Sequence, residues 1–344
     1  MFKPEEIIFA PTSECNLVCS HCRVTRGGER LAAEDAVAFL KACRPHGIDR
    51  VGFSGGEPFL APDFLCRVSR AAVDLDMTFD RLMTNGAWFE SEDALRTTLA
   101  ELHEAGFDGT FGVSVDSYHA QDMGDLSSFF RAVFDIWRRK DCCEIISAIE
   151  PGGTAPSGMF EDLAASLGGR LLRQDGEPFS IVDQAFIDRA ALGSDSDSPA
   201  SGAEPDSQAE PGDASAALMI NIIRVPYSAA ADENAWAAPE WFEDDFCRGP
   251  GNVFYVHPDG RIAVCCGFAN ENRELIIGHI RTDDYRSLMR RASQSPFIRA
   301  CYASGLATTR EKLESAGRSF PGRTADPCFF CDFCAKQGII GSHD

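Results

Sequence analysis

Short apolar segments alternate with segments of helical periodicity through the first two thirds of this sequence, and that alternation constrains the fold most. Six segments have the length and composition of strands; they occupy residues 6–11, 49–55, 80–86, 109–117, 143–151 and 218–227. Between the fourth and the fifth, one apolar helical stripe is formed by Leu126, Phe130, Val133, Phe134 and Trp137. Another helix is predicted over residues 159–167. Such alternation predicts an α/β fold whose parallel sheet has helical crossovers and is either open or wound toward a barrel.

The composition changes twice along the chain, which predicts its domain organisation. Residues 193–217 are rich in Ser, Pro, Gly and acidic residues and contain no Lys, Arg or aromatic residue, so we expect a disordered insertion there. After about residue 240 cysteines become dense and strands short. We therefore predict a first domain over 1–239 and a small metal-binding domain over 240–344. Within the latter, residues 252–266 predict a hairpin that turns at Pro258-Asp259-Gly260.

Charge and cysteine content narrow the classes of partner and compartment. The 344 residues carry a net charge of −21, which disfavours nucleic acid and suits a basic peptide or a small neutral substrate. The first residues do not resemble a signal peptide, and no apolar run approaches the roughly 20 residues that span a bilayer. We therefore expect a cytoplasmic protein that binds no membrane, in which the fourteen cysteines are metal ligands and core thiols rather than disulfides.

Three cysteines follow the first predicted strand at the spacing Cys-x3-Cys-x2-Cys; they are Cys15, Cys19 and Cys22. Thiolates select soft metals, chiefly zinc, copper(I) and iron–sulfur clusters. A structural zinc site needs four ligands, so a zinc ion would require His21 as the fourth. A [4Fe–4S] cluster held by three cysteines instead leaves one iron open to another ligand.

A second motif, Gly-Gly-Glu-Pro, follows the second predicted strand within GFSGGEPFL (52–60). Together with the cysteine triplet, and in this order, it resembles the radical S-adenosylmethionine (SAM) superfamily. The resemblance implies a partial (β/α)6 TIM-like barrel and a [4Fe–4S] cluster whose open iron chelates SAM. It also implies that an electron from the cluster breaks the sulfonium bond, and that the resulting 5′-deoxyadenosyl radical abstracts hydrogen from the substrate. An electron donor such as flavodoxin or ferredoxin is implied as a partner.

The resemblance also assigns residues to the SAM site. It implies that the methionine amine is contacted by the second motif, Gly55, Gly56, Glu57 and Pro58, with Glu57 accepting hydrogen bonds from the ammonium group. Strand-end positions that would reach the SAM ribose or carboxylate are Ser114, Asp116 and, as a candidate of the same kind, Asn85. His21 stands where the family has an aromatic residue, which implies that it shields the cluster or the adenine. Apolar adenine contacts are implied around Ile149 and Glu150.

The C-terminal cysteines fall into two groups, Cys247-x12-Gly-x4-Cys265 and Cys328-x2-Cys331-x2-Cys334. Taken alone, they would also suit a zinc ribbon. In a chain with the motifs above, they resemble the SPASM and twitch extensions of radical SAM enzymes, which hold auxiliary [4Fe–4S] clusters. The second half of the full SPASM pattern is shortened here. The resemblance therefore implies one auxiliary cluster, ligated by Cys247, Cys265 and two of the last three cysteines.

Cys266 directly follows the predicted ligand Cys265. If both lie in a strand, their side chains point to opposite faces, and Cys266 then either faces the active site as a catalytic hydrogen-atom donor or is a buried thiol behind the cluster. The family resemblance implies two substrate classes. The first is a ribosomally made peptide that is epimerised or crosslinked, and the alternative is a small molecule, such as an amino sugar, that is dehydrogenated.

Overall fold

The computed structural model describes residues 2–149, 153, 155–183, 218–243, 247 and 252–340, so the insertion predicted at 193–217 lies outside the described residues. Within them, eleven strands form one sheet. The strands are β1 (Glu6–Phe9), β2 (Arg50–Phe53), β3 (Thr78–Thr84), β4 (Thr110–Ser114), β5 (Cys143–Ile149), β6 (Gly169–Gln174), β7 (Glu177–Asp183), β8 (Met219–Pro226), β9 (Val253–Val256), β10 (Arg261–Ala263) and β11 (Ile276–His279).

The centre of the sheet is a run of six parallel strands in the order β1-β2-β3-β4-β5-β8. These are the six strands predicted from the sequence, and the prediction is confirmed. The sheet does not close on itself, because β9 pairs with the outer edge of β1 while β7 and β6 continue beyond β8. The architecture is therefore a mixed α/β fold built on a partial (β/α)6 barrel.

Nine α-helices are described; they are α1 (Ala33–Cys43), α2 (Pro62–Asp74), α3 (Glu92–Glu104), α4 (Met123–Trp137), α5 (Ser157–Ser166), α6 (Tyr285–Gln294), α7 (Pro296–Arg299), α8 (Leu306–Ser315) and α9 (Pro327–Gln337). The first four connect successive parallel strands. α4 begins where the Asp122 carboxylate accepts hydrogen bonds from the first free amides of the helix. Its predicted apolar stripe faces the core, with Leu126, Phe130 and Val133 fully buried.

The two faces of β1 show how the sheet separates the core from the barrel interior. Ile7 and Phe9 belong to the large core that includes the helices. Ile8 and Ala10 point the other way and pack with residues of β9 and β10 in a smaller inner cluster. Polar and catalytic groups that face the interior are therefore carried by alternate residues and by the loops after each strand.

An antiparallel hairpin, β6–β7, was not predicted from the sequence. It turns at Asp175 and Gly176, which both have positive φ (52° and 85°). An Asp-Gly pair of this conformation is favoured in two-residue hairpin turns. The hairpin lengthens the sheet through antiparallel pairing of β7 with β8.

The C-terminal segment is joined to the barrel by strand pairing. The predicted hairpin of residues 252–266 is confirmed as β9–β10, although β10 ends at Ala263. β9 pairs in parallel with β1 over four residues. The sheet thus crosses the predicted boundary at 239/240, and the division into two domains stays a prediction. In the described part of the chain, no helix combines the length and the apolar character needed to span a membrane.

Candidate active site

The cysteine triplet lies on the loop that follows β1, at the carboxyl edge of the parallel strands. Parallel strands bring their carboxyl ends to one edge, where α/β barrels bind ligands. Here Cys15, Cys19 and Cys22 line a single cavity. Residues from the ends of β2, β3 and β4 line the same cavity; among those predicted are Gly55, Gly56, Asn85 and Ser114. The structure therefore brings together the cysteine triplet, the glycine motif and the predicted strand-end residues of β3 and β4.

The two glycines pack against the start of the cysteine loop. Gly55 has φ +124°, and a Cβ added there would lie 2.9 Å from the Thr12 carbonyl oxygen. A Cβ on Gly56 would lie only 2.0 Å from the Glu14 carbonyl oxygen. The Gly56 N–H donates to the Thr12 carbonyl at 2.9 Å, and the Glu57 N–H donates to the Glu14 carbonyl at 2.8 Å. The glycines are thus needed for a close approach between two loops of this chain, in addition to the predicted approach to a ligand.

Glu57 differs from its predicted orientation. Its carboxylate is 1% exposed and accepts hydrogen bonds from the Asn85 amide (2.8 Å), the Thr84 hydroxyl (2.9 Å) and the Phe59 amide (3.2 Å). Burial raises the pKa of Glu57 to about 7, and these three donors oppose the rise. The side chain thus ties the second motif to the end of β3, and its contact with the SAM ammonium stays a prediction.

Pro58 is also buried rather than in the cavity wall. It opens a short 3-10 turn, Pro58–Leu60, that Glu57 caps. Proline suits this first position because its amide nitrogen needs no hydrogen-bond partner. Its role is to shape the turn that follows the glycines.

Asn85 contacts the cysteine loop directly. Its amide nitrogen lies 3.7 Å from the Cys15 sulfur and donates to the Asn16 side-chain oxygen at 2.8 Å. The side-chain amide of Gln121 donates to the backbone carbonyls of Asn85, at 2.8 Å, and of Ser114. Gln121, which the sequence analysis missed, thus holds the ends of β3 and β4 together behind the cavity.

Asp116 lies behind His119 rather than in the cavity wall. The Asp116 carboxylate is 2% exposed, and its Oδ1 lies 2.8 Å from His119 Nδ1. The same oxygen accepts from the Tyr118 amide at 2.9 Å, and Oδ2 accepts from the Ala148 amide at 3.3 Å. The residue of this loop that lines the cavity is His119. In the sequence, His119 lies in the polar segment that follows β4, where only Ser114 and Asp116 were predicted as site residues.

Aromatic rings surround His21, the residue before the last cysteine of the triplet. Ring centroids lie 4.5 Å away for Tyr118, 4.8 Å for His119 and 5.4 Å for Tyr227. Burial lowers the pKa of His21. Among the described residues, the His21 ring lies close enough to Asp116 and His119 to share a metal ion with them, and it forms no such group with the cysteine thiols. This placement favours the predicted shielding role over a fourth zinc ligand.

The proposed adenine contacts are not gathered at this cavity. Ile149 lines a second cavity, next to β8, together with Ala155 and Val225. Glu150 lies outside the described residues.

The donor set at the first cavity fits a thiolate-bound cluster. Cys15 and Cys19 are half-buried and Cys22 is exposed, and each is a free cysteine on one loop. Buried polar groups beside them include the Nδ1 atom of His21, which has no hydrogen-bond partner among the described residues. Three thiols with a polar, partly aromatic wall suit an iron–sulfur cluster together with a polar ligand.

The C-terminal cysteines converge from a loop, the end of β10 and α9. Cys265 is electrostatically coupled to Cys247 and Cys331. Gly267 lies between the sulfurs of Cys328 and Cys265, because its added Cβ would be 3.4 and 3.8 Å from them. The structure thus gathers Cys247, Cys265, Cys328 and Cys331, and which of these cysteines bind a cluster stays a prediction.

Cys334 occupies a different environment. It is fully buried, and its electrostatic neighbours are Cys331 and Arg318. A fifth sulfur, that of Cys301, lies 3.9 Å from the Cys331 sulfur. On α9, Cys331 is three residues from both Cys328 and Cys334, so the two outer cysteines are distinguished by their surroundings: Cys328 lies near Cys265 across Gly267, and Cys334 near Arg318.

Cys266 and Cys265 pack into different cores. Cys265 belongs to the large core, whereas Cys266 packs on the inner cluster of Ile8 and Tyr255. Both lie beyond β10, so strand alternation does not apply to them, and a position of Cys266 at the active site stays a prediction. Cys266 also interacts electrostatically with Cys247 and Cys328.

Residues 9–148 match the family described as the Radical SAM superfamily. Among curated proteins, the chain is 32% identical over 111 residues to a probable GTP 3',8-cyclase of Methanocella arvoryzae, covering 31% of this chain and 32% of that protein. It is 30% identical over 152 residues to a GTP 3',8-cyclase of Streptomyces coelicolor, covering 42% of this chain and 40% of that protein. The chain thus spans about a third to two fifths of the length of these relatives.

Solved structures with a similar course of the chain include one described as native anSMEcpe with bound AdoMet, at 13% identity and a TM-score of 0.44 over 98% of both chains. Another is Streptococcus suis SuiB, at 12% identity and a TM-score of 0.36 over 79% of this chain and 62% of that one. Both TM-scores lie below 0.5, so the assignment of the fold depends on the sheet order described above.

Proposed function

We propose that this protein, whose residues 9–148 match the Radical SAM superfamily, reductively cleaves SAM and uses the resulting radical to take a hydrogen atom from a peptide substrate. The observation that carries the proposal is the convergence of Cys15, Cys19 and Cys22 with Gly55 and Gly56 on one cavity. A bound [4Fe–4S] cluster would supply one-electron reduction of the sulfonium ion. The chain's own residues hold the three thiols, position the glycine turn against them and surround the cavity with aromatic rings.

SAM cleavage by the anaerobically reconstituted protein tests the first part of the proposal. With dithionite as reductant, we expect 5′-deoxyadenosine to form, and we expect a variant with Ala at 15, 19 and 22 to form none. The matched control is Cys66→Ala, which removes a buried thiol of α2 far from the cavity. Zinc in place of iron, or equal 5′-deoxyadenosine in the triple variant, would contradict the proposal.

The C-terminal thiols are proposed to hold one auxiliary [4Fe–4S] cluster through Cys247, Cys265, Cys328 and Cys331. The support is the position of Gly267 between the sulfurs of Cys265 and Cys328, together with the burial of Cys265 and Cys331. With both clusters loaded, we expect about eight irons per chain. Flavodoxin or ferredoxin would supply electrons, and a reducing cytoplasmic location would keep the free thiols available.

A ribosomally made peptide is the proposed substrate class. The net charge of −21 favours a basic peptide over a nucleotide or nucleic acid. Cys266 gives a second reason, because its thiol packs on the inner face of the sheet beside Tyr255. Tyr255 hydrogen-bonds to Ser54, which lines the cysteine cavity. Tyr255 thus links the inner cluster that Cys266 packs on to the wall of the cavity in which the radical would form.

Cys266 is proposed to return a hydrogen atom to the α-carbon of the peptide. In this step the S–H bond of Cys266 breaks homolytically, a C–H bond forms, and a thiyl radical remains on the cysteine. One electron from the external donor and one proton from solvent restore the thiol. The net result is inversion of one residue.

Reaction in deuterated water tests this role. We expect the wild type to place one solvent deuterium in the product, and Cys266→Ala to cleave SAM without yielding an inverted residue. Cys66→Ala again serves as the control. Normal product from Cys266→Ala would eliminate the donor role and favour crosslinking.

A small-molecule dehydrogenase of the twitch type is the second candidate. It is favoured by the thiol count, since the four converging cysteines suffice for a single auxiliary cluster, which could accept the second electron. The curated relatives, whose names concern GTP, share only the matched part of the chain. A short peptide gene beside this gene would favour the first candidate, and a sugar pathway the second.

A further inference from the structure

The loop after β4 places a histidine between a buried carboxylate and one of the cysteines of the triplet. His119 Nδ1 lies 2.8 Å from Asp116 Oδ1, and His119 and Cys19 line the same cavity. The His119 side chain is 13% exposed and lines the cysteine cavity. No part of the proposed SAM cleavage above uses this contact.

Asp116 cannot move freely, so it fixes the histidine ring. Its two oxygens accept hydrogen bonds from the Tyr118 and Ala148 amides, which anchors the carboxylate to the ends of β4 and β5. On the cavity side, the ring of His21 lies at 4.8 Å and 73° from that of His119, which limits rotation. The arrangement of an anchored carboxylate, an imidazole and a thiol resembles the way proteins orient groups around a metal centre.

We propose that His119 donates a hydrogen bond to the Cys19 thiolate and thereby raises the reduction potential of the cluster bound at the triplet, with Asp116 as a positioning residue. The inference rests on the proposed function, because it needs a cluster at Cys19. Reduction adds negative charge to the cluster and its sulfur ligands, so a donor aimed at one sulfur stabilises the reduced form more than the oxidised form. Both neighbours of the ring, a carboxylate and a thiolate, are acceptors.

The groups that face His119 support this reading of the contact. The ring lies between the Asp116 carboxylate, 2.8 Å from His119 Nδ1, and the cavity that Cys19 also lines. The proposal does not require a change of protonation in the working range, only that an N–H point at the sulfur. A purely structural role would affect cluster retention but not the potential of the cluster that remains.

The test is a redox titration of the full-length, anaerobically reconstituted protein, followed by electron paramagnetic resonance. The relevant signal is the one that disappears when Cys15, Cys19 and Cys22 are replaced by Ala. The variants are His119→Phe, which keeps a ring without a donor, and His119→Gln, which keeps an N–H donor. His103→Phe, on the exposed face of α3, is the matched control.

In His119→Phe we expect the equilibrium constant for reduction to fall about tenfold, a shift of about 59 mV to more negative potential for one electron. His119→Gln should recover at least half of that shift, Asp116→Asn should give an intermediate value, and His103→Phe should match the wild type. Iron is measured in each sample so that potentials are compared at equal loading. If His119→Phe binds no cluster, the Gln and Asn variants decide the question by the same readout.

Two failures are distinguishable. A wild type without the triplet signal and without SAM cleavage would overturn the proposed function, and this inference with it. A wild type that cleaves SAM, with an unchanged potential in His119→Phe or, where that variant binds no cluster, in Asp116→Asn, would overturn this inference alone.

Discussion

Gly56→Ala should separate the second motif from the cysteine loop. The added Cβ would lie 2.0 Å from the Glu14 carbonyl oxygen and 2.9 Å from the Ser13 carbonyl carbon. These are backbone atoms, which cannot rotate away as a flexible side chain can. Contacts of this type essentially never fall below 3.0 Å, so the two loops must part by about 1 Å.

The cost follows from the two hydrogen bonds that now hold the loops together. The Gly56–Thr12 and Glu57–Glu14 bonds measure 2.9 and 2.8 Å, and an added 1 Å takes both beyond hydrogen-bond range. At about 0.5–1.5 kcal/mol each, their loss lowers the free energy of unfolding by about 1–3 kcal/mol. Because the loop that moves carries Cys15 and Cys19, iron content and SAM affinity should fall as well.

The assay is urea unfolding of the apo protein, with iron content and equilibrium SAM binding measured after reconstitution. Gly158→Ala is the matched control, because it lies in the first turn of α5 with nothing within 4 Å of the added Cβ. That control should be neutral or slightly stabilising. If Gly56→Ala unfolds within about 0.5 kcal/mol of wild type and binds SAM normally, the close approach of the two loops has no energetic consequence and the reasoning fails.

Three further outcomes are expected. Burial and the nearby Asp80 raise the pKa of Glu6 from 4.5 to about 7. The stabilising contribution of Glu6 is therefore full below pH 4.5 and is lost as pH rises toward 7. Between pH 5 and pH 8, the free energy of unfolding of Glu6→Gln, measured in urea titrations, should gain about 2–3 kcal/mol relative to wild type. Asp326→Ala removes the carboxylate that caps α9, and unfolding should become easier by about 1–2 kcal/mol in the same assay. Cys328→Ala should lose the auxiliary cluster, about four irons, whereas Cys334→Ala should keep it; equal iron in both variants would contradict the assignment.

The parallel strands were predictable because each is an apolar run followed by a strong helical stripe, as at β4 and α4. The β6–β7 hairpin was missed, although Asp175-Gly176 is a recognisable turn signal. No residue of β6 is fully buried, and only the pair Leu171-Leu172 marks it as apolar. Periodicity therefore identifies the core strands of this sheet better than those at its edge.

The site was predictable in its location but not in the direction of its side chains. The sequence places Glu57 and Asp116 after strands that end at the cavity, and both do lie there. Their carboxylates nevertheless turn to backbone amides of neighbouring strands, which become adjacent only when the sheet forms. A buried carboxylate must satisfy its oxygens wherever donors are available, and that depends on strand register rather than on local sequence.

The pairing of β1 with β9 has a consequence for how the chain is made. β1 ends at residue 9 and its partner begins at residue 253. At 5–20 residues per second, a ribosome needs roughly 12–50 s to supply that partner, and during this time one edge of an entirely buried strand has no neighbour. While the middle of the protein is being synthesised, the unpaired backbone N–H and C=O groups of β1 can therefore pair with strands of other chains. Chaperones that cover the first strand should therefore raise the soluble yield.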